Sequence, residues 1–376
     1  MKNNRRDFIK AGALGAAALS TGALSLGFPE TVRAAPQPLN ILVLGGTGFI
    51  GPHMVREALR RGHSVTLFNR GRTNNTLFPD LETIKGDRDN GLDGLTDRQW
   101  DVVIDNSGYV PRHVRDSARL LAPNVSHYLF VSTVSVYAGF AGDSDENGPL
   151  ATIADESVEE VTGETYGALK VLCETAVRQE VGADRSTVLR PTYICGPGDH
   201  TDRFTWWPIR TSRGGEMIWP GQPGDAIQII DVRDFANFAV DCVERKTTGT
   251  FNTATPEHSY TMGKLLADCQ AVTATSVDEI WVDEAFAKSA SDNMPVKNRG
   301  AFPVWHPQRG DNPQGGQFIS TAAREAGLHN RPVRETARDL LTWWATLPEE
   351  RTSAIKTGLT PEYEAELIAL WRKQQS

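Results

Sequence analysis

The chain of 376 residues predicts an α/β fold with a doubly wound parallel sheet, on three observations. Short apolar runs end in glycine or polar residues, the pattern of parallel strands buried on both faces. A helical periodicity follows the first of these runs directly. Between the two stands Gly45-Gly46-Thr47-Gly48-Phe49-Ile50-Gly51.

Residues 40–44 form the first predicted strand, and residues 52–62 read as a helix. Its buried side would be Ile50, Met54, Val55 and Leu59, with Gly62 as a C-terminal cap. Residues 64–69 make the second strand. In such a unit Gly45 permits the tight turn, Gly48 lets backbone approach a pyrophosphate, and Gly51 lets helix pack on strand. The helix N-terminus adds free N–H groups and a partial positive charge. The turn, with Thr47, Phe49 and Ile50 between its glycines, is therefore a predicted dinucleotide site in a Rossmann-type domain. An acidic residue closing the second strand would accept from a ribose 2′-hydroxyl. Asn69 stands there instead, followed by Arg70 and Arg72. Two guanidinium groups suit a 2′-phosphate, so the expected cofactor is NAD(P), with NADP slightly favoured over NAD. Two solvated loop arginines beside NAD is the competing reading.

Residues 81–87 predict the third strand, 100–105 the fourth, 114–121 a helix and 127–131 the fifth strand. Ligands of doubly wound sheets sit at the carboxyl ends of the strands. Asp87 is placed there to accept from an adenine amino group, Asn106 to border the cofactor, and Gly108 to leave it room. The fifth strand runs into Ser132-Thr133-Val134-Ser135-Val136-Tyr137. A helix opening at Glu164 then carries Tyr166 and Lys170 four residues apart, on one face. After the strand 187–189 comes Arg190-Pro191-Thr192-Tyr193-Ile194-Cys195-Gly196-Pro197-Gly198-Asp199.

GxxGxxG, a hydroxyl-rich strand end, YxxxK and RPxxxxGPxD, in this order, resemble the extended short-chain dehydrogenases/reductases. Within them the chain resembles the NAD-dependent epimerase/dehydratase group, over about residues 38–350. The resemblance implies Tyr166 as general acid or base on a substrate hydroxyl and Thr133 as the hydrogen-bond partner of the reacting oxygen. It implies Lys170 as a contact to the nicotinamide ribose and as the charge that favours the Tyr166 phenolate. A phenol with a pKa of about 10 needs such a cation to act as a base near neutrality. The expected substrate is a sugar, glycoside or related polyol. Ser135, Arg203, Trp206 and Trp207 are the candidate substrate contacts, since indole faces suit a pyranose and a guanidinium suits hydroxyls or a carboxylate. Burial of the two tryptophans between domains is the alternative. Asp199-His200-Thr201-Asp202 has metal-ligand residue types without a partner cluster and reads as a polar loop, so no metal site is expected.

Residues 227–230 predict a strand, and 231–244 a helix capped by Asp231 with Val232, Phe235, Ala239 and Val243 on its apolar side. Residues 249–253 return to the sheet. The predicted domains are 38–195 plus about 226–255 for the cofactor, and about 196–225 plus 256–376 for a smaller mixed α/β C-terminal substrate lobe. That lobe holds the loop 303–307, with Trp305 and His306 as possible cleft residues, and the helix 333–344. A terminal helix from Pro361 would turn Tyr363, Leu367, Leu370 and Trp371 inward.

The N-terminus carries Arg5-Arg6, an uncharged Ala- and Gly-rich stretch over 11–28, and Val32-Arg33-Ala34. This resembles a twin-arginine export signal over residues 1–34 cleaved after Ala34, and the stretch makes a poor membrane span. The expected location is periplasmic or otherwise extracytoplasmic, with the twin-arginine machinery as a partner. The formal charge is −8. Residues 1–34 contribute +3, leaving −11, a poor balance for nucleic-acid binding. Cys173, Cys195, Cys242 and Cys269 form no CxxC and read as buried free thiols. A homodimer stays open. An exported enzyme has no ready pool of NADP(H), which favours a closed redox cycle, epimerisation above all, with the cofactor retained. An ordinary reductase and a non-catalytic cofactor-binding or sensor protein are the alternatives.

Overall fold

The computed structural model describes residues 37–139, 142–296, 299–307 and 316–376. The export signal expected over residues 1–34 lies outside them. In chain order the first half contains β1 (Asn40–Leu44), α1 (Gly51–Arg60), β2 (Ser64–Asn69), β3 (Thr83–Lys85), β4 (Val102–Asp105), α2 (Pro111–Leu121), β5 (His127–Val131) and α3 (Tyr166–Val181). There follow β6 (Ser186–Pro191), β7 (Tyr193–Cys195), α4 (Trp206–Thr211), β8 (Gly215–Pro220), β9 (Ile229–Asp231), α5 (Val232–Arg245) and β10 (Gly249–Thr253). The last stretch holds α6 (Met262–Thr273), β11 (Val277–Val282), α7 (Glu284–Asp292), α8 (Thr321–Glu325), α9 (Val333–Trp344), α10 (Glu349–Thr352) and α11 (Pro361–Gln375).

The main sheet is seven-stranded, in the order β10-β6-β5-β4-β1-β2-β3. All of its pairs are parallel. Every residue of β4 and β5 is buried, because helices cover both faces. Met54, Val55 and Ala58 of α1 pack with Phe235 and Ala239 of α5 on one side. Val114 and Ala118 of α2 pack with Cys173 and Val177 of α3 on the other. Successive connections diverge between β1 and β4, and there a doubly wound sheet opens a crevice at its strand ends. Asp231 caps α5 by accepting from the Arg233 N–H at 2.8 Å. Its predicted stripe of Val232, Phe235, Ala239 and Val243 is buried throughout.

A third core belongs to the C-terminal lobe, where β8 pairs with β11 and helices pack around Trp207, Met217, Trp219, Leu265 and Leu340. β7 and β9 form a separate parallel pair. The lobe is not one continuous piece after residue 256. Phe318 exchanges hydrogen bonds with Gln228, N to Oε1 at 2.8 Å and Nε2 to O at 2.9 Å. Ala323 and Leu328 then join the core of the first half.

Two local expectations change. Leu59 is 37% exposed and Ala58 takes its inward position, since the helix begins at Gly51 and its stripe runs through 54, 55 and 58. Leu370 is exposed, and the inward face of α11 is Tyr363, Glu364, Leu367 and Ile368. Glu364 is buried because Arg210 Nε donates to it at 2.5 Å. The four cysteines are buried and free. Among the described residues no helix is long and apolar enough to cross a membrane.

Candidate active site

The strand ends open into a cleft of about 1250 Å³. Its first wall is the glycine turn. Gly45 adopts φ 87°, and its carbonyl accepts from Asn106 Nδ2 at 2.8 Å. Asn74 Nδ2 donates to the Thr47 carbonyl at 3.0 Å, holding the turn from the outside. A β-carbon on Gly51 would stand 2.5 Å from the Gly45 carbonyl oxygen, so only glycine allows α1 to approach β1 this closely. A β-carbon on Gly48 would meet nothing within 4 Å, which is the open face a pyrophosphate needs.

Gly45, Thr47, Gly48, Phe49, Ile50, Asn69, Arg70, Arg72, Asp87 and Asn106 all line the cleft, as expected from the sequence. Asn69 Oδ1 accepts from the Gly71 N–H at 2.8 Å. Its Nδ2 is buried with no partner, an orphaned donor where a ribose or phosphate oxygen would satisfy it. Residues and space thus fit a dinucleotide. Gly108 has a different task. The space beside it is taken by Phe130 and Val114, each 2.6 Å from where a β-carbon would stand, and not left for a ligand. Its carbonyl faces Lys170.

Thr133, Ser135, Tyr166 and Lys170 meet in the same cleft. β5 delivers Thr133, whose Oγ1 accepts from the Ser135 N–H at 3.1 Å. The first turns of α3 deliver Tyr166 and Lys170 on one face. The Lys170 ammonium is 3% exposed and donates to the carbonyls of Gly108 at 2.7 Å and Val131 at 2.6 Å. It also lies 4.1 Å from the centre of the Phe130 ring. Burial pulls its pKa down to about 8. Burial likewise pushes the Tyr166 phenol up, and Tyr109, tilted beside it at 6.4 Å between ring centres, adds to this. Thr133 and Arg203 act in the opposite direction, Thr133 through a hydrogen bond and Arg203 through its charge. Arg203 is thus a cation that favours the Tyr166 phenolate, while the Lys170 ammonium is hydrogen-bonded to two carbonyls.

Arg203 lines the cleft, but Trp206 and Trp207 do not. They are 1% and 0% exposed, in the core of the C-terminal lobe. Trp207 stacks on Trp219 at 4.7 Å between centres, and its Nε1 donates to the Pro303 carbonyl at 2.9 Å. Both indoles lie in α4 and pack into the core that holds Met217 and Trp219 of β8. Sequence reasoning passed over Tyr193, although it lies inside the RPxxxxGPxD run, and Gln228 and Phe318, for which no local signal exists. All three line the cleft. His306, from the loop 303–307, lines it too. Asp199 and Asp202 are fully buried, and Asp199 Oδ1 accepts from the Thr201 N–H and Oγ1 at 2.7 Å each, the work of a polar loop.

A family model, the NAD dependent epimerase/dehydratase family, matches residues 41–254. A curated relative, the chloroplast stem-loop binding protein of 41 kDa b from Arabidopsis thaliana, is 27% identical over 219 residues, 54% of each chain. The chain thus spans about half the length of the curated relatives it matches. Among solved structures, the Bordetella bronchiseptica enzyme WbmG in complex with NAD and UDP is 16% identical, with a TM-score of 0.60 over 86% of this chain and 99% of that one. The human epimerase family protein SDR39U1 (isoform 2) with NADPH is 19% identical, with a TM-score of 0.55 over 81% and 99%. At these identities the two structures speak for the fold.

Proposed function

The chain belongs to the NAD dependent epimerase/dehydratase family, and from that premise we propose that it moves a hydride reversibly to and from a sugar or related polyol, keeping its cofactor bound throughout. The observation that carries this reading is the meeting of Thr133, Tyr166 and Lys170 in one cleft with the Gly45–Ile50 turn. The nicotinamide, when bound, supplies hydride acceptance and return. The Tyr166 phenolate takes the proton of the reacting substrate hydroxyl and, as the phenol, gives it back. Thr133 hydrogen-bonds the same oxygen, and Lys170 holds the ribose while steadying the Gly108 and Val131 carbonyls. Arg70 and Arg72 favour NADP by pairing with a 2′-phosphate.

Export is part of the proposal. Outside the cytoplasm no NADP(H) pool resupplies the enzyme, so oxidation and return of the hydride must close within one active site. Epimerisation is the simplest such cycle. The purified protein is then expected to carry stoichiometric cofactor through dialysis. It should turn over a sugar substrate with none added, while Tyr166→Phe retains cofactor and loses turnover. A wild-type protein that emerges empty and needs excess NAD(P)(H) overturns the retained cycle in favour of an ordinary dehydrogenase.

The Arabidopsis relative's name favours a second reading, a binding protein on the same fold. The net charge of −8 and the complete Thr133, Tyr166, Lys170 set weigh against it, since a pure binder has no use for a proton-transfer group.

A further inference from the structure

The loop after β7 brings into the cleft a guanidinium that pairs with no carboxylate among the described residues. Arg203 Nε donates to Thr201 Oγ1 at 3.1 Å, and that hydroxyl is itself fixed, donating to the fully buried Asp199 at 2.7 Å. The Arg203 Cζ lies 4.8 Å from the centre of the Tyr193 ring. Tyr193 is tied in turn through its hydroxyl to His306 Nε2 at 2.8 Å. His306 arrives on a strained loop, since the β-branched Val304 adopts φ 72°. Two buried indoles hold that loop, Trp207 Nε1 on the Pro303 carbonyl at 2.9 Å and Trp305 Nε1 on Asp225 Oδ2 at 3.1 Å.

Held at Nε and over one face, the guanidinium keeps its two Nη groups for a ligand. That end is the fork that pairs bidentately with an oxyanion. The buried cations of the cleft already have partners within the protein. Arg88 is bidentate on Asp105 at 2.6 and 2.8 Å, and Lys170 donates to two carbonyls. Burial keeps His306 below its ordinary pKa, so it adds a neutral partner and no second charge. Arg203 lines the same cleft as Thr133 and Tyr166. A chain of net charge −8 does not carry this cation as part of a general basic surface.

We infer that the substrate carries an oxyanion, a carboxylate or a phosphoryl group, on the sugar that reaches Tyr166, and that Arg203 grips it end-on through both Nη groups. The inference rests on the reading of this cleft as a substrate chamber. One fork beside neutral Tyr193 and His306 matches a monoanion, so the carboxylate of a sugar acid is the better fit.

Calorimetric titration of the cofactor-loaded protein with D-glucuronate, D-glucose 6-phosphate and D-glucose tests it. Glucuronate is expected to bind at least about tenfold more tightly than glucose, from charge-assisted hydrogen bonds to the fork. Arg203→Gln should erase the preference, and Arg203→Lys should keep only part of it, having the charge without the fork. A phosphate ester that outcompetes glucuronate with the same Arg203 dependence assigns the oxyanion as phosphoryl. Equal binding of acid and neutral sugar, no binding of either anion, or a preference that survives in Arg203→Gln overturns the inference. Cofactor titration of each variant reports folding and is read separately. A wild-type protein that binds no cofactor yet shows the Arg203-dependent preference removes the hydride-transfer reading and leaves the anion site standing.

Discussion

Gly51 lies against Gly45 so closely that a β-carbon on Gly51 would stand 2.5 Å from the Gly45 carbonyl oxygen and 2.7 Å from the Gly46 backbone. Gly48, three residues earlier, faces open space. The two positions should therefore separate in experiment. Gly51→Ala is expected to lower stability by about 1–3 kcal/mol, the usual cost of overpacking, and to weaken cofactor binding. Gly48→Ala should unfold at the wild-type denaturant concentration yet lose cofactor, because the added methyl group fills the ligand's space. Equal behaviour of the two variants in denaturant melts and cofactor titrations would contradict this division.

Arg70 and Arg72 both line the cleft beside the orphaned Nδ2 of Asn69. If they meet a 2′-phosphate, replacing both with alanine should weaken NADP binding far more than NAD binding. Two charge-assisted contacts of about 1.5–3 kcal/mol each make the discrimination more than tenfold. Comparable losses for both cofactors in fluorescence titrations would mark the arginines as solvated loop residues.

His127 gives the fold a dependence on acid. It is 1% exposed, with Nε2 2.7 Å from Thr187 Oγ1. That hydroxyl donates to the Thr247 carbonyl, so Nε2 must carry the proton and donate. Nδ1 is buried with no partner, and a second proton would have no acceptor. Burial first, and Lys246 next, pull the pKa down to about 4. Between the unfolded value of about 6.5 and that depressed value the unfolded chain binds more protons. This group's share of stability is therefore intact above pH 6.5 and falls by up to about 3 kcal/mol as the pH drops towards 4. Urea midpoints of wild type and His127→Gln, measured between neutral and acid pH, should converge as the pH falls. Parallel declines would assign the acid sensitivity to other groups.

The export proposal is tested through Arg5 and Arg6. Replacing both with lysine should leave folded protein in the cytoplasm and block maturation after Ala34. Unchanged processing of the double variant would remove the twin-arginine reading.

The glycine turn and the pairing of Tyr166 with Lys170 were legible in the sequence because their causes are local. Steric limits on Gly45, Gly48 and Gly51 act within one turn, and four-residue spacing alone puts Tyr166 and Lys170 on one face of α3. The strand runs were legible for a similar reason, since burial on both faces leaves a continuous apolar signature. Tertiary structure alone decided where the charges act. The carbonyls that hold the Lys170 ammonium lie 62 and 39 residues away in the chain, so no spacing rule could show them, nor that Arg203 would line the same cleft as Tyr166. The aromatic run at 204–207 had two equal readings until β8 supplied Trp219 for Trp207 to stack on. Tyr193, Gln228, His306 and Phe318 reach the cleft through pairings more than 85 residues apart, the closest being Gln228 with Phe318 at 90. Such contacts depend on how two lobes close around a shared crevice, and that closure is set by the whole packed core.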